Sequence, residues 1–150
     1  MRRKISLLAL VFCMVTLTVF AGRYLVSRQY LSDSTNGLWN ELPMNTATAN
    51  YTSDKILIKN SEGYSKLNFY MTDPSNSTMD IGYQLSDDGG TTWYTPYDTD
   101  GNDLSAIATS LAANRSIVFN PSIGEYIRFN FTLGSANANV TAEFVTKSSL

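Results

Sequence analysis

The stretch Tyr126-Ile127-Arg128-Phe129-Asn130-Phe131 alternates without a break between two kinds of residue. Ile127, Phe129 and Phe131 fall on one side of an extended chain, and Tyr126, Arg128 and Asn130 on the other. A period of two marks a strand with one face in a core and the other toward water. The same pattern recurs outward from it. Residues 67–71 align Leu67, Phe69 and Met71; residues 79–85 align Ile81, Tyr83 and Leu85; residues 139–146 align Val140, Ala142, Phe144 and Thr146. Shorter runs at 38–42, 46–52, 55–59, 92–97 and 116–119 complete the set. Clusters of Gly, Asn, Asp, Ser and Pro separate the runs at a spacing of about ten residues, the rhythm of an all-β sandwich or barrel. The predicted fold is therefore all-β: a small antiparallel β-sandwich, jelly-roll-like, over residues 38–150. One segment departs from the rhythm. Residues 104–113 carry Leu104, Ile107, Ala108 and Leu111 at helical spacing. They read as a short helix closing one end of the sandwich, or as a loop and a strand.

The other end of the chain is of a different kind. Met1-Arg2-Arg3-Lys4 is basic, and an uncharged, mostly apolar run follows from Ile5 to Ala21. That is the layout of a secretory signal peptide, with Val19 and Ala21 at the −3 and −1 positions of a cut before Gly22. The run of 17 residues is also just long enough to span a bilayer as a retained hydrophobic helix, with the basic residues held inside. Leu17, Phe20, Tyr24 and Leu31 continue the helical spacing, so residues 22–37 read as a linker or helix extension, ending in the loop residues Asp33-Ser34-Thr35-Asn36-Gly37. Residues 1–21 are thus a signal peptide or a membrane anchor. Both readings make the remainder extracellular or outward-facing, with the membrane a partner through residues 5–21 if they stay attached.

Composition excludes several function classes. Beyond Lys4 the chain has thirteen acidic and eight basic residues, a net charge of −5. The basic residues stand singly, which argues against nucleic acid as a partner. The one cysteine, Cys13, lies in the apolar run, so the β domain has neither thiol nor disulfide and rests on its core. There is no histidine. Imidazole acid–base catalysis, Ser-His-Asp and Cys-His nucleophile systems and imidazole metal sites are therefore absent. The chain reads as a non-enzyme.

One motif stands out. Ser86-Asp87-Asp88-Gly89-Gly90-Thr91-Thr92-Trp93 has the form S-x-D-x-G-x-T-W. Two strands need a tight reversal here, and Gly89 and Gly90 supply positive φ without steric cost. The Asp88 carboxylate can accept hydrogen bonds from turn amides. Ser86 and Thr92 can support the loop, and Trp93 can bury its ring at the hairpin base. The motif resembles the Asp-box of sialidases and other secreted β proteins, a single BNR-type hairpin. The resemblance implies a structural turn away from catalysis, since a sialidase propeller carries several boxes on a much longer chain. The wider pattern over residues 64–144 is similar to jelly-roll or discoidin-like β-sandwiches of the kind found in carbohydrate-binding modules and virion-associated phage proteins.

Two further sets of residues qualify as candidate sites. Asp98, Asp100 and Asn102 put oxygen side chains at alternate positions around Gly101, a spacing that can turn hard ligands onto a structural calcium ion. Position 12 of that pattern is Thr109 rather than a bidentate Glu, and the same residue types also make plain solvated turns. Tyr94 and Tyr97 flank the loop and are the aromatics best placed for an exposed sugar-stacking surface. No other cofactor is expected. Two functions fit: a non-catalytic exported structural subunit of a surface or virion assembly, with itself or other subunits as partners, or a secreted or anchored module binding carbohydrate or a cell surface.

Overall fold

The computed structural model describes residues 24–149, apart from 47, 49, 59–64, 73–76, 113, 121–123 and 135. The expected signal peptide or anchor, and the hydrophobic helix it would form, lie outside these residues. The described chain is built from strands: β1 Tyr24–Tyr30, β2 Ser32–Asp33, β3 Gly37–Leu38, β4 Leu42–Met44, β5 Asn50–Thr52, β6 Ile56–Leu57, β7 Ser65–Thr72, β8 Met79–Ser86, β9 Ala106–Leu111, β10 Arg115–Phe119, β11 Tyr126–Leu133 and β12 Ala138–Ser149.

They form two antiparallel sheets packed as a sandwich, with a small β2–β3 hairpin beside them. Sheet 1 has the order β1-β12-β7-β10, with β4 pairing the start of β12. Sheet 2 has the order β5-β11-β8-β9, with β6 also on β11. The alternation read from the sequence sets the inner faces. Leu67, Phe69 and Met71 of β7 and Val140, Ala142 and Phe144 of β12 meet Ile81, Tyr83 and Leu85 of β8 and Ile127, Phe129 and Phe131 of β11. Aromatic rings bridge the layers: Phe129 and Phe144 are 5.2 Å apart between centroids, and Phe69 and Phe131 5.8 Å.

One expectation is corrected and one ambiguity resolved here. Residues 22–37, expected as linker or helix extension, contain β1 and β2, so sheet 1 begins before residue 38. The seven residues of β1 pair one for one with residues 143–149 of β12. This ladder supplies their backbone partners across the sheet, where a helix would have supplied them locally. Of the two readings of residues 104–113, a short helix or a loop and a strand, the second holds: β9 follows residues 104–105 and pairs irregularly with β8.

Between Leu31 and Trp39 the chain leaves the sheet as the β2–β3 hairpin and returns. Leu31 N donates to Ala142 O, Trp39 N to Leu31 O, and Ala142 N to Trp39 O, which closes the gap. Asp33 organises the excursion by accepting hydrogen bonds from Thr35 N, Asn36 N and the Trp39 indole, the last at 2.7 Å. The indole nitrogen is thereby satisfied while its ring is fully buried, 5.0 Å from Phe131.

Truncating Phe131 removes the ring on which Trp39 and Phe69 both rest. Phe131→Ala is expected to lower unfolding free energy by about 3–5 kcal/mol, read as a lower urea midpoint with an unchanged slope.

Candidate functional site

β8 and β11 pair along their whole length, from Met79 opposite Leu133 to Ser86 opposite Tyr126. With their apolar residues turned inward, Asp80, Gly82 and Gln84 of β8 and Arg128, Asn130 and Thr132 of β11 face out. β5 extends this polar face. Asn50 opposes Thr132 and Thr52 opposes Asn130. Each hydroxyl donates to the amide oxygen across from it, Thr132 Oγ1 to Asn50 Oδ1 at 2.9 Å and Thr52 Oγ1 to Asn130 Oδ1 at 3.0 Å.

β9 borders the far side of this face. Its pairing with β8 shifts register on both sides of Ile81, and Ser110 sits at φ 50°. A non-glycine residue in that region is strained, and such positions persist only where the surroundings hold them. Asp80 does so by accepting a 2.7 Å hydrogen bond from Ser110 N. Between β9 and β11 lies an open groove of about 310 Å³, lined on its floor by Asp80, Gly82 and Gln84 and on its sides by Thr109, Asn130 and Thr132.

One end of the face abuts the turn at residues 86–93. Ser86 is fully buried, and its hydroxyl donates to Asp88 Oδ1 at 2.8 Å while accepting from Gly90 N at 3.0 Å. Asp88 accepts from Thr91 N and Thr92 N. Hydrogen bonds from Thr92, then from Ser86, hold its carboxyl well below the usual carboxylate range. Gly89 and Gly90 adopt φ 75° and 87°, as a reversal of this tightness requires. Lys55 reaches over the turn to donate to the Gly89 carbonyl.

Trp93 belongs to this outer surface and not to the core. It is half-buried, donates its indole N–H to Gly90 O at 3.1 Å, and carries the Arg128 guanidinium over its ring at 4.4 Å. Arg128 is in turn fixed by two hydrogen bonds to Gln84 Oε1, at 2.8 and 2.6 Å. Its place follows from parity: Arg128 lies on the outward side of β11, and Trp93 stacks where Arg128 points. The fully buried tryptophan is Trp39.

Residues 92–97, expected as a strand, make isolated bridges: Leu85 with Tyr94, and Tyr97 with Asp103. Tyr94 hydroxyl donates to Asp87 at 2.6 Å, and Tyr97 is 60% exposed. Thr95 between them lines the groove. The Asp98 loop closes on its own hydrogen bonds. Asp98 Oδ1 accepts from Asp100 N and Asn102 N, and Oδ2 from the Asn102 amide at 2.7 Å. Asn102 holds the Asp98 carboxyl below its ordinary value. Among the described residues no three acidic, cysteine or histidine side chains gather as a cation site.

The turn residues Ser86, Asp88, Gly90, Thr92 and Trp93 therefore stand together, while the groove beside them assembles residues the sequence did not single out. Asp80, Gln84, Asn130 and Thr132 are the polar halves of alternating strands, and such residues face solvent by default. Nothing in their spacing distinguishes a site from a surface.

No family model and no curated protein matches the chain. Among solved structures it is distantly similar to the crystal structure of SPBc2 prophage-derived protein YomS, at 13% sequence identity and a TM-score of 0.42, over 82% of this chain and 95% of that one.

The depressed Asp88 carboxyl fixes the sign of a pH effect. Its contribution to stability is complete above the unfolded value of about 3.9 and fades as pH falls from there toward the folded value. The melting temperature of Asp88→Ala should lie below that of the unsubstituted chain by a constant gap between about pH 5 and 7, and the gap should close below about pH 4. Thermal melts across that range check it; a gap that persists unchanged to the lowest pH would contradict the assignment.

Proposed function

We propose that this chain is a non-catalytic structural subunit of an outward-facing assembly, a surface layer, filament or virion, and that it joins its neighbours along β1. One observation carries the reading. Among the described residues β1 pairs with β12 alone, and residues 25–30 are all exposed. Leu25 is 52% and Val26 64% accessible. β7 covers β12 only as far as Val145, so residues 146–149 and their β1 partners project as a two-stranded ribbon. An edge strand offers unpaired N–H and C=O groups along its outer side, and proteins that stay monomeric blunt such edges. A strand from a neighbour would complete the ladder, with Leu25 and Val26 covered in the process.

Three other features support the reading. The apolar run at residues 5–21 fits export or anchoring. The absence of histidine from the whole chain removes the commonest acid–base and nucleophile systems. The turn at residues 86–93 is read as an Asp-box-type hairpin with an architectural role: its carboxylate and hydroxyl are engaged within the turn itself.

The test is native mass of the full chain, with intact mass showing whether residues 1–21 remain attached. The unsubstituted protein should self-associate, and Val26→Lys should shift it toward monomer. Because Val26 is exposed, the substitution should alter unfolding free energy by no more than about 0.5 kcal/mol. A chain that is monomeric at every concentration would end the proposal.

A further inference from the structure

The groove on the outer face of sheet 2 lies on a different surface from β1 and has a chemistry of its own. Its lining residues include one carboxylate (Asp80), two carboxamides (Gln84 and Asn130) and four hydroxyls (Thr95, Ser105, Thr109 and Thr132), and no basic group. Gln84 Oε1, Asn130 Oδ1 and the Thr132 hydroxyl hydrogen are engaged within the sheet, so the carboxamide N–H groups, the Asp80 carboxylate and the Thr95 and Thr109 hydroxyls are the groups to meet a row of ligand hydroxyls. The lone carboxylate disfavours an anion. The inner-face side chains of Ile81 and Tyr83 are buried in the core, and the small Ala106 and Ala108 supply an apolar part of the lining beside the polar groups.

Two features open the space. At its centre stands Gly82, where a side chain would occupy the floor; a Cβ there would meet only Ser105 O, at 3.4 Å. At its wall stands the irregular β9, kept off the regular ladder by the strained Ser110 and its bond to Asp80. Bulges that re-aim a strand beside a site, and strain stored next to one, are recurrent features of binding sites. The volume, about 310 Å³, falls at the small end of the range for small-molecule sites, roughly 300–1,000 Å³. Arg128, outside the lining, is hydrogen-bonded to Gln84 and stacked on Trp93.

The geometry points to this groove as a binding site for a neutral saccharide, held by hydrogen bonds to Asp80, Gln84, Asn130 and the flanking threonines. The site is distinct from Tyr94 and Tyr97, the aromatics that the sequence offered for sugar stacking. It is also independent of β1, so its failure leaves the assembly reading untouched, and the converse holds.

The test uses the full chain against immobilised neutral oligosaccharides ending in glucose, galactose, mannose or N-acetylglucosamine, followed by calorimetric titration of any that bind. At least one should bind saturably. Gly82→Val, whose branched side chain fills the floor at a strand position that favours it, should weaken binding by about tenfold or more while melting no lower than the unsubstituted chain. Thr109→Val, nearly isosteric and exposed, tests the wall without endangering the fold and should weaken binding too. Val26→Lys should bind as the unsubstituted chain does. Absence of binding to every oligosaccharide at concentrations up to about 10 mM, or binding left unchanged by both Gly82→Val and Thr109→Val, would overturn the assignment.

Discussion

The contact between Phe129 of β11 and Phe144 of β12, continued by Phe131 against Phe69 and Trp39, holds the two sheets face to face. With no disulfide available to the β domain, the sandwich has no covalent support, and these rings supply much of its buried apolar area. Edge-on and tilted geometries prevail among them, as the quadrupole of an aromatic ring favours. Tyr83 and Phe119 extend the cluster from the other strands of the two sheets. The polar groups beside the core are matched as closely. Asn68, buried on β7, donates to Glu143 at 2.7 Å and accepts from Ser116 at 2.9 Å, tying three strands of sheet 1 across its outer face.

The strands that make this core were legible because burial on one face leaves a period of two in the sequence. Residues 67–71, 79–85, 126–131 and 139–146 show it, and all four lie in strands of the sandwich. β1 showed nothing of the kind, because none of its residues from 25 to 30 is buried. Its place is set by backbone pairing with the end of β12, more than a hundred positions away, which leaves no local trace. The helix-or-strand ambiguity at 104–113 has a different cause. Ile107, Ala108 and Leu111 all pack against the core from β9. A strand can present that spacing because its register shifts and Ser110 turns into the left-handed region. A bulge adds a residue to the count, and an interrupted period of two then mimics the spacing of a helix.

The same contrast divides the candidate sites. The turn at 86–93 was readable because its hydrogen bonds run between residues two to four apart, so residue type and spacing nearly determine them. The depth of Trp93 was not, since it depends on Arg128, a residue brought beside it by the pairing of β8 with β11. The groove is further still from local sequence: Asp80, Thr109 and Asn130 come from three strands and meet only in the folded sheet.

β11 serves core and groove at once. Ile127, Phe129, Phe131 and Leu133 fill the inner face, and Arg128, Asn130 and Thr132, alternating with them, shape the outer one. A slip of one residue would exchange the two faces, so the aromatic contacts that fix the register also fix which polar groups reach the groove. The outer surface of sheet 2 is therefore as rigidly determined as the core beneath it, a suitable base for recognising a small ligand. β1 stands at the opposite extreme. Its exposed residues contribute little to the core, so the fold constrains their identity little. A surface tied to the register and an edge released from it can therefore change independently of one another.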